Sequence, residues 1–211
     1  MVFDFDGTLV ESLRTVVRCL NVVLEEIGHS EVTIEDVRMH VGVIPIDMIF
    51  REILCVPNVE SHVSRYVSLF RSTFRDDLHL ETGVPELLKR LSSRNFLLGI
   101  ASLKSSLEVR EILEHFGLGS YFRVIAGRDN FGAKSSTVLR RVALCLGVEV
   151  SDCLFVGDRG ADITLGRSAG MLTAGATWGY SFPGELQAVA PDMLVNYPLE
   201  LMQPLNSNRP I

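Results

Sequence analysis

The stretch MVFDFDGTLV, residues 1–10, sets two aspartates, Asp4 and Asp6, among Val2, Phe3 and Phe5. A short apolar run of this kind reads as a buried strand. Burying an unpaired carboxylate is costly, so two of them at its end call for compensation by a cation, a phosphate-handling site or a strand end open to water.

Working outward, the chain beyond about residue 81 alternates helix with apolar strand. VPELLKRLSSR, SSLEVREILEHFG, SSTVLRRVALCLG and ADITLGRSAG carry helical spacing, and FLLGIAS, FRVIAG, CLFVGD and MLTAGAT read as strands between and after them. Such alternation predicts βαβ units, hence an α/β fold with a Rossmann-like parallel sheet covered by helices on both faces. Ser105 followed by Glu108 forms a capping box, and Gly117, Gly147 and Gly170 stand at expected helix ends. The opening MVFDF is the natural first strand of the same sheet.

Between that strand and the rest lies a segment of different character. SLRTVVRCLNVVLEEIG puts Leu13, Val16, Val17, Leu20, Val23 and Leu24 on one helical face, and TIEDVRMHVG, PIDMIFREIL and VSRYVSLFRSTF keep apolar residues three and four apart with no period-two run. The expected organisation is a catalytic core of residues 1–13 and 82–211, interrupted by a helical cap over 14–81. The polar tail PLNSNRPI, 204–211, is expected to fray.

Composition bounds the function. With 20 basic and 26 acidic residues the net charge is -6, so no broad basic surface invites nucleic acid or anionic lipid. Cys19, Cys55, Cys145 and Cys153 form no C-x-x-C pair and read as reduced thiols; no stretch reaches the length of a membrane span and no leader pattern opens the chain, which together point to a cytoplasmic protein. The five histidines are scattered and none is paired with a nucleophile.

In open parallel sheets, ligands bind beyond the carboxyl ends of the strands. Those ends carry Asp4 and Asp6 after the first strand, Ser102 after FLLGIA, Lys134 in the loop beyond FRVIAG, and Asp158 with Asp162 after CLFVG. Carboxylate oxygens from separate segments suit Mg2+, which is held by few carboxylates together with substrate phosphate oxygens, and lysine is a point-charge partner for phosphate.

DFDGTLVES, LLGIAS, Lys134 and FVGDRGAD, in this order, resemble the four motifs of the haloacid dehalogenase superfamily, in the branch with a helical cap after the first motif and similar to phosphoglycolate phosphatases; the resemblance covers nearly the whole chain. It implies a Mg2+-dependent phosphatase acting on a small phosphomonoester of the phosphoglycolate kind through an aspartyl phosphate. Asp4 would be the nucleophile and Asp6 the acid and base. Asp4, the backbone carbonyl of Asp6 and Asp158 would hold Mg2+, with Asp162 in support, and Ser102, Lys134 and Thr8 would serve the phosphate. Gly7 and Thr8 would also shape the turn that aims Asp6. Leu103 departs from the family pattern, which commonly has asparagine there, so one polar contact near the phosphate is absent or supplied elsewhere.

Two alternatives stay open: a phosphomutase of the beta-phosphoglucomutase type, and a retired binding module on the same scaffold. Implied partners are a small phosphorylated metabolite, neither nucleic acid nor membrane, and a monomeric or homodimeric state. The loop over residues 40–47 could face the site, and Arg14, Arg18, Arg38 and Arg51 are candidates to meet a substrate carboxylate or second phosphate.

Overall fold

A computed structural model describes residues 1–203; the tail and its expected fraying lie outside the described residues. The chain enters through β1 (Val2–Phe3), turns through residues 4–9 into β2 (Val10–Glu11), and passes into the cap. The cap consists of α1 (Leu13–Glu26), α2 (Ile34–Arg38), α3 (Ile46–Met48) continuing as a π-helical turn over Ile49–Ile53, and α4 (Val59–Asp77). It returns through β3 (His79–Leu80), which pairs antiparallel with β2, Val10 opposite Leu80 and Glu11 opposite His79. The two crossings between cap and core therefore lie side by side as a small ribbon. Two residues per strand leave no alternation to read, so this ribbon has no sequence signature.

The core then runs α5 (Val84–Ser93), β4 (Leu98–Ala101), α6 (Ser106–His115), β5 (Phe122–Ala126), α7 (Arg128–Phe131), α8 (Ser136–Leu146), β6 (Leu154–Gly157), α9 (Gly160–Ala169), β7 (Leu172–Ala176), α10 (Glu185–Val189) and β8 (Met193–Val195). All six core strands are parallel, in the order β5-β4-β1-β6-β7-β8. The expected five strands gain a sixth. β8 is a three-residue edge strand, tied in where Asp192 accepts from the Thr173 amide and hydroxyl at 2.8 Å each.

Successive strand residues point to opposite faces, and the sequence fills both. Val2, Ala101 and Phe155 pack with Leu139, Val142 and Leu146 of α8; Phe3, Ile100 and Val156 pack on the other face with Leu88 of α5 and Ile112 of α6. The second cluster continues into the cap, where Tyr66, Phe70 and Phe74, one helical turn apart on α4, have ring centroids 6.1 and 6.3 Å apart. Cap and core thus share one apolar cluster. The chain winds from β1 outward to β5 and then from β6 outward to β8, so the switch point lies between β1 and β6, beside Asp4 and Asp158.

Candidate active site

Asp4 continues the line of β1 because its amide donates to the Val156 carbonyl at 2.8 Å. Its carboxylate is buried. Oδ1 accepts from Lys134 Nζ at 2.8 Å, while Oδ2 has no hydrogen-bond partner among the described residues. Lys134, in the loop before α8, also reaches Asp162 Oδ1 at 2.6 Å. Burial opposes the charge of Lys134, but Asp162 and Asp4 outweigh that and raise its pKa, so the ammonium is locked on.

Asp158 stands at the end of β6, fully buried, with both oxygens committed: Oδ1 accepts from Thr8 Oγ1 at 2.8 Å and Oδ2 from the Tyr180 amide at 2.7 Å. Burial, and then the charge of Asp162, push its pKa up to about 7 against these two hydrogen bonds. Asp162, in the first turn of α9, caps that helix by accepting from the Arg159 amide at 3.2 Å. Its approach depends on Gly157, where a Cβ would stand 2.6 Å from Asp162 Cγ.

Asp4, Asp158 and Asp162 each offer an oxygen within 4.8 Å of the others. Burial is also the main cause of an Asp4 pKa raised well above the usual carboxylate range, despite Lys134. One buried lysine among three buried carboxylates leaves the centre short of positive charge, and the unpartnered Asp4 Oδ2 leaves it short of a ligand. An all-oxygen set of this kind fits Mg2+.

The Asp6 carboxylate is not a member of this trio, which leaves its backbone carbonyl as the atom the resemblance assigns to the metal. The tight turn after Phe5 swings the carboxylate away, with the Thr8, Leu9 and Val10 amides all donating to the Phe5 carbonyl and Gly7 at φ +76°. A side chain at Gly7 would be excluded by space as well, since a Cβ there would lie 2.9 Å from Asp158 Cγ. Asp6 Oδ1 instead accepts from Ser12 Oγ and pairs with Lys104 Nζ at 3.0 Å. The Tyr180 hydroxyl accepts from the Ser12 and Leu13 amides at 2.7 and 3.0 Å, fixing the start of α1 beside Asp6. A Cβ built on Gly42 of the cap would lie 3.8 Å from the Asp6 backbone oxygen and 3.9 Å from Asp4 Oδ2. Both oxygens therefore border the 40–47 loop.

The structure brings Asp4, Asp6, Ser102, Lys134, Asp158 and Asp162 to the same end of the sheet, but Thr8 takes a different part from the expected phosphate contact. Its hydroxyl is spent on Asp158, and its carbonyl accepts from Trp178 Nε1 at 3.1 Å. Ser102 is buried, with Oγ accepting from the Lys104 amide at 3.1 Å. Lys104, Ser12 and Tyr180 escaped the sequence reading. Lys104 had a signal, three residues past the end of β4 and next to Leu103, and Ser12 stands within DFDGTLVES, six residues from Asp6; Tyr180 had none, because its partners are far away in sequence and act through backbone amides.

The candidate cap arginines are engaged elsewhere or turned outward. Arg38 donates to the Tyr180 and Ser181 carbonyls at 3.0 and 3.1 Å, Arg18 pairs with Asp77, and Arg14 and Arg51 are exposed. Between the 40–47 loop, α4 and the segment 103–108 lies a cavity of about 370 Å³ that opens onto Asp6.

A haloacid dehalogenase-like hydrolase family model matches residues 1–176. The chain is 30% identical to a phosphoglycolate phosphatase of Aquifex aeolicus, covering 99% of this chain and 97% of the relative, and 30% identical to a pyrophosphatase of Listeria monocytogenes, covering 96% and 94%. A haloacid dehalogenase-like hydrolase structure from Streptococcus pneumoniae superimposes with a TM-score of 0.86 at 22% identity over 97% of both chains, a likeness of fold.

Proposed function

The chain belongs to the haloacid dehalogenase-like hydrolase family, and we propose that it is a Mg2+-dependent phosphatase that hydrolyses a small phosphomonoester through a phosphorylated Asp4. The observation that carries this reading is the Asp4 carboxylate, with one oxygen anchored on Lys134 and the other buried and unpartnered beside Asp158 and Asp162. A carboxylate so placed is a nucleophile held in one orientation. Mg2+ held by Asp4, the Asp6 carbonyl and Asp158, with Asp162 behind them, would supply charge neutralisation for the carboxylates and the phosphate oxygens.

Asp4 forms a bond to phosphorus as the bond to the leaving oxygen breaks. Asp6 gives that oxygen its proton, then takes one from the water that cleaves the aspartyl phosphate. The position of Asp6 supports this role, since its carboxylate faces the cavity where a leaving group would sit, and Ser12 and Lys104 fix its orientation. Lys134 spends two of its three donors on Asp4 and Asp162 and keeps a third for a phosphate oxygen. The cap loop over Gly42 would exclude bulk water from the reacting atoms.

Turnover of a chromogenic aryl phosphate with and without Mg2+ tests this reading. Metal-dependent release of phosphate is expected. No turnover across a phosphoester panel would favour the binding module, and an isomerised sugar phosphate with little free phosphate would favour the mutase.

A further inference from the structure

The cavity that opens onto Asp6 is apolar on most sides. Val41, Ile44, Ile46 and Ile49 of the cap, Tyr66 of α4 and Leu103 of the core form its walls. Its charged lining residues are two cations, Lys104 and Arg128, against three carboxylates, Asp6, Glu108 and Asp129. Both cations already have partners. Lys104 Nζ lies 3.0 Å from Asp6 and 4.7 Å from the centre of the Phe70 ring, and Arg128 pairs with Asp47 of the cap. Of the two further carboxylates, Glu108 accepts from the Ser105 amide and hydroxyl, and Asp129 from the Ser106 amide and hydroxyl. None of Arg14, Arg18, Arg38 and Arg51 lines the cavity.

A carboxylate on the leaving group would therefore meet only cations already shared with Asp6 and Asp47, in a lining with an excess of negative charge. An apolar leaving group would meet hydrocarbon. From this cavity we infer that the substrate is the phosphate monoester of an apolar alcohol, larger than a two-carbon hydroxy acid, whose hydrocarbon part fills the space between the 40–47 loop and α4. The inference rests on the phosphatase reading, because it takes Asp6 as the group that meets the leaving oxygen. The volume of about 370 Å³ falls within the ~300–1,000 Å³ common to small-molecule sites, and a two-carbon group would leave most of it empty.

The test is kcat/KM with Mg2+ over n-alkyl phosphates from ethyl to hexyl, with phosphoglycolate alongside. The leaving alcohols of this series differ little in acidity, so the trend reports burial. Each methylene is expected to raise kcat/KM about fourfold until the cavity is full, giving hexyl over ethyl an advantage on the order of 10^2-fold, with phosphoglycolate below ethyl phosphate. Ile44→Asn, at a half-buried wall position, is expected to flatten the slope with chain length. A flat or falling series, or phosphoglycolate turned over faster than every alkyl ester, would overturn the apolar assignment and leave the phosphatase standing. Absence of Mg2+-dependent phosphate release from every ester, a chromogenic aryl phosphate included, would overturn both.

Discussion

Thr8→Val removes one oxygen and almost no volume, and the structure says where the loss falls. The Thr8 hydroxyl donates to Asp158 Oδ1 at 2.8 Å, with both residues buried, so no water can take its place. A hydrogen bond to a buried charge contributes about 1.5–3 kcal/mol, which corresponds to roughly 10- to 150-fold in an equilibrium that needs the charged form. Asp158 is already pushed up to about 7 by burial and by Asp162, against the lowering effects of Tyr180 and Thr8, so losing Thr8 raises it further. The variant carboxyl then holds its proton more tightly in competition with a cation. The Mg2+ concentration for half-maximal turnover of an aryl phosphate is expected to rise about 10- to 100-fold, in line with other losses of groups that orient metal ligands. Raising the pH should recover part of the loss, because ionisation of Asp158 returns above its new pKa. Thr8→Ser, which restores the hydroxyl, should behave as the parent does. A Mg2+ dependence in Thr8→Val within twofold of the parent, or a Thr8→Ser variant as impaired as Thr8→Val, would refute the assignment of Thr8 as the support of Asp158.

The remaining expectations concern the ribbon of β2 and β3 and the proton. Glu81, beside the ribbon of β2 and β3, is raised to about 7 by burial first and by Glu11 and Asp158 second. Its folded pKa lies above the unfolded value of 4.5, so the folded state binds the extra proton, and stability should fall as pH rises from about 4.5 through 7. Melting curves of parent and Glu81→Gln across that window should converge at the acid end, with the variant relatively more stable at pH 7.5; a constant offset would remove Glu81 as the cause. Asp6→Asn should slow turnover by about 10^2- to 10^4-fold, more for alkyl than for aryl esters, since only poor leaving groups need the proton. Equal losses on both ester types would argue that Asp6 does not protonate the leaving oxygen.

The alternation of strand and helix was readable in the core because βαβ units put their signal into local periodicity. Ser105 and Glu108 do form a reciprocal cap, and the apolar face of α1 is the buried one. What escaped is what long-range pairing alone decides. β8 is held by Asp192 and Thr173, and β2 and β3 exist only because two crossings of the chain meet. The same division runs through the site. Strand-end position marks Asp4, Asp158 and Lys134, but the partner of a buried polar group is set by the fold. Thr8 therefore turned to Asp158, and Asp6 found Lys104 and Ser12, for reasons that no spacing in the sequence encodes. Leu103 is the converse case: its apolar character was visible in sequence as a departure from the family pattern, and its meaning emerges only where it joins the cavity wall.

The central claim is that Asp4 becomes phosphorylated. Acid quenching of the enzyme within milliseconds of mixing with a 32P-labelled aryl phosphate and Mg2+, followed by peptide mapping, tests it directly. Label is expected on the N-terminal peptide at Asp4, stable in acid, released by hydroxylamine as an acyl phosphate should be, and absent from Asp4→Asn. Turnover without any covalent label, or label that persists in Asp4→Asn, would contradict it.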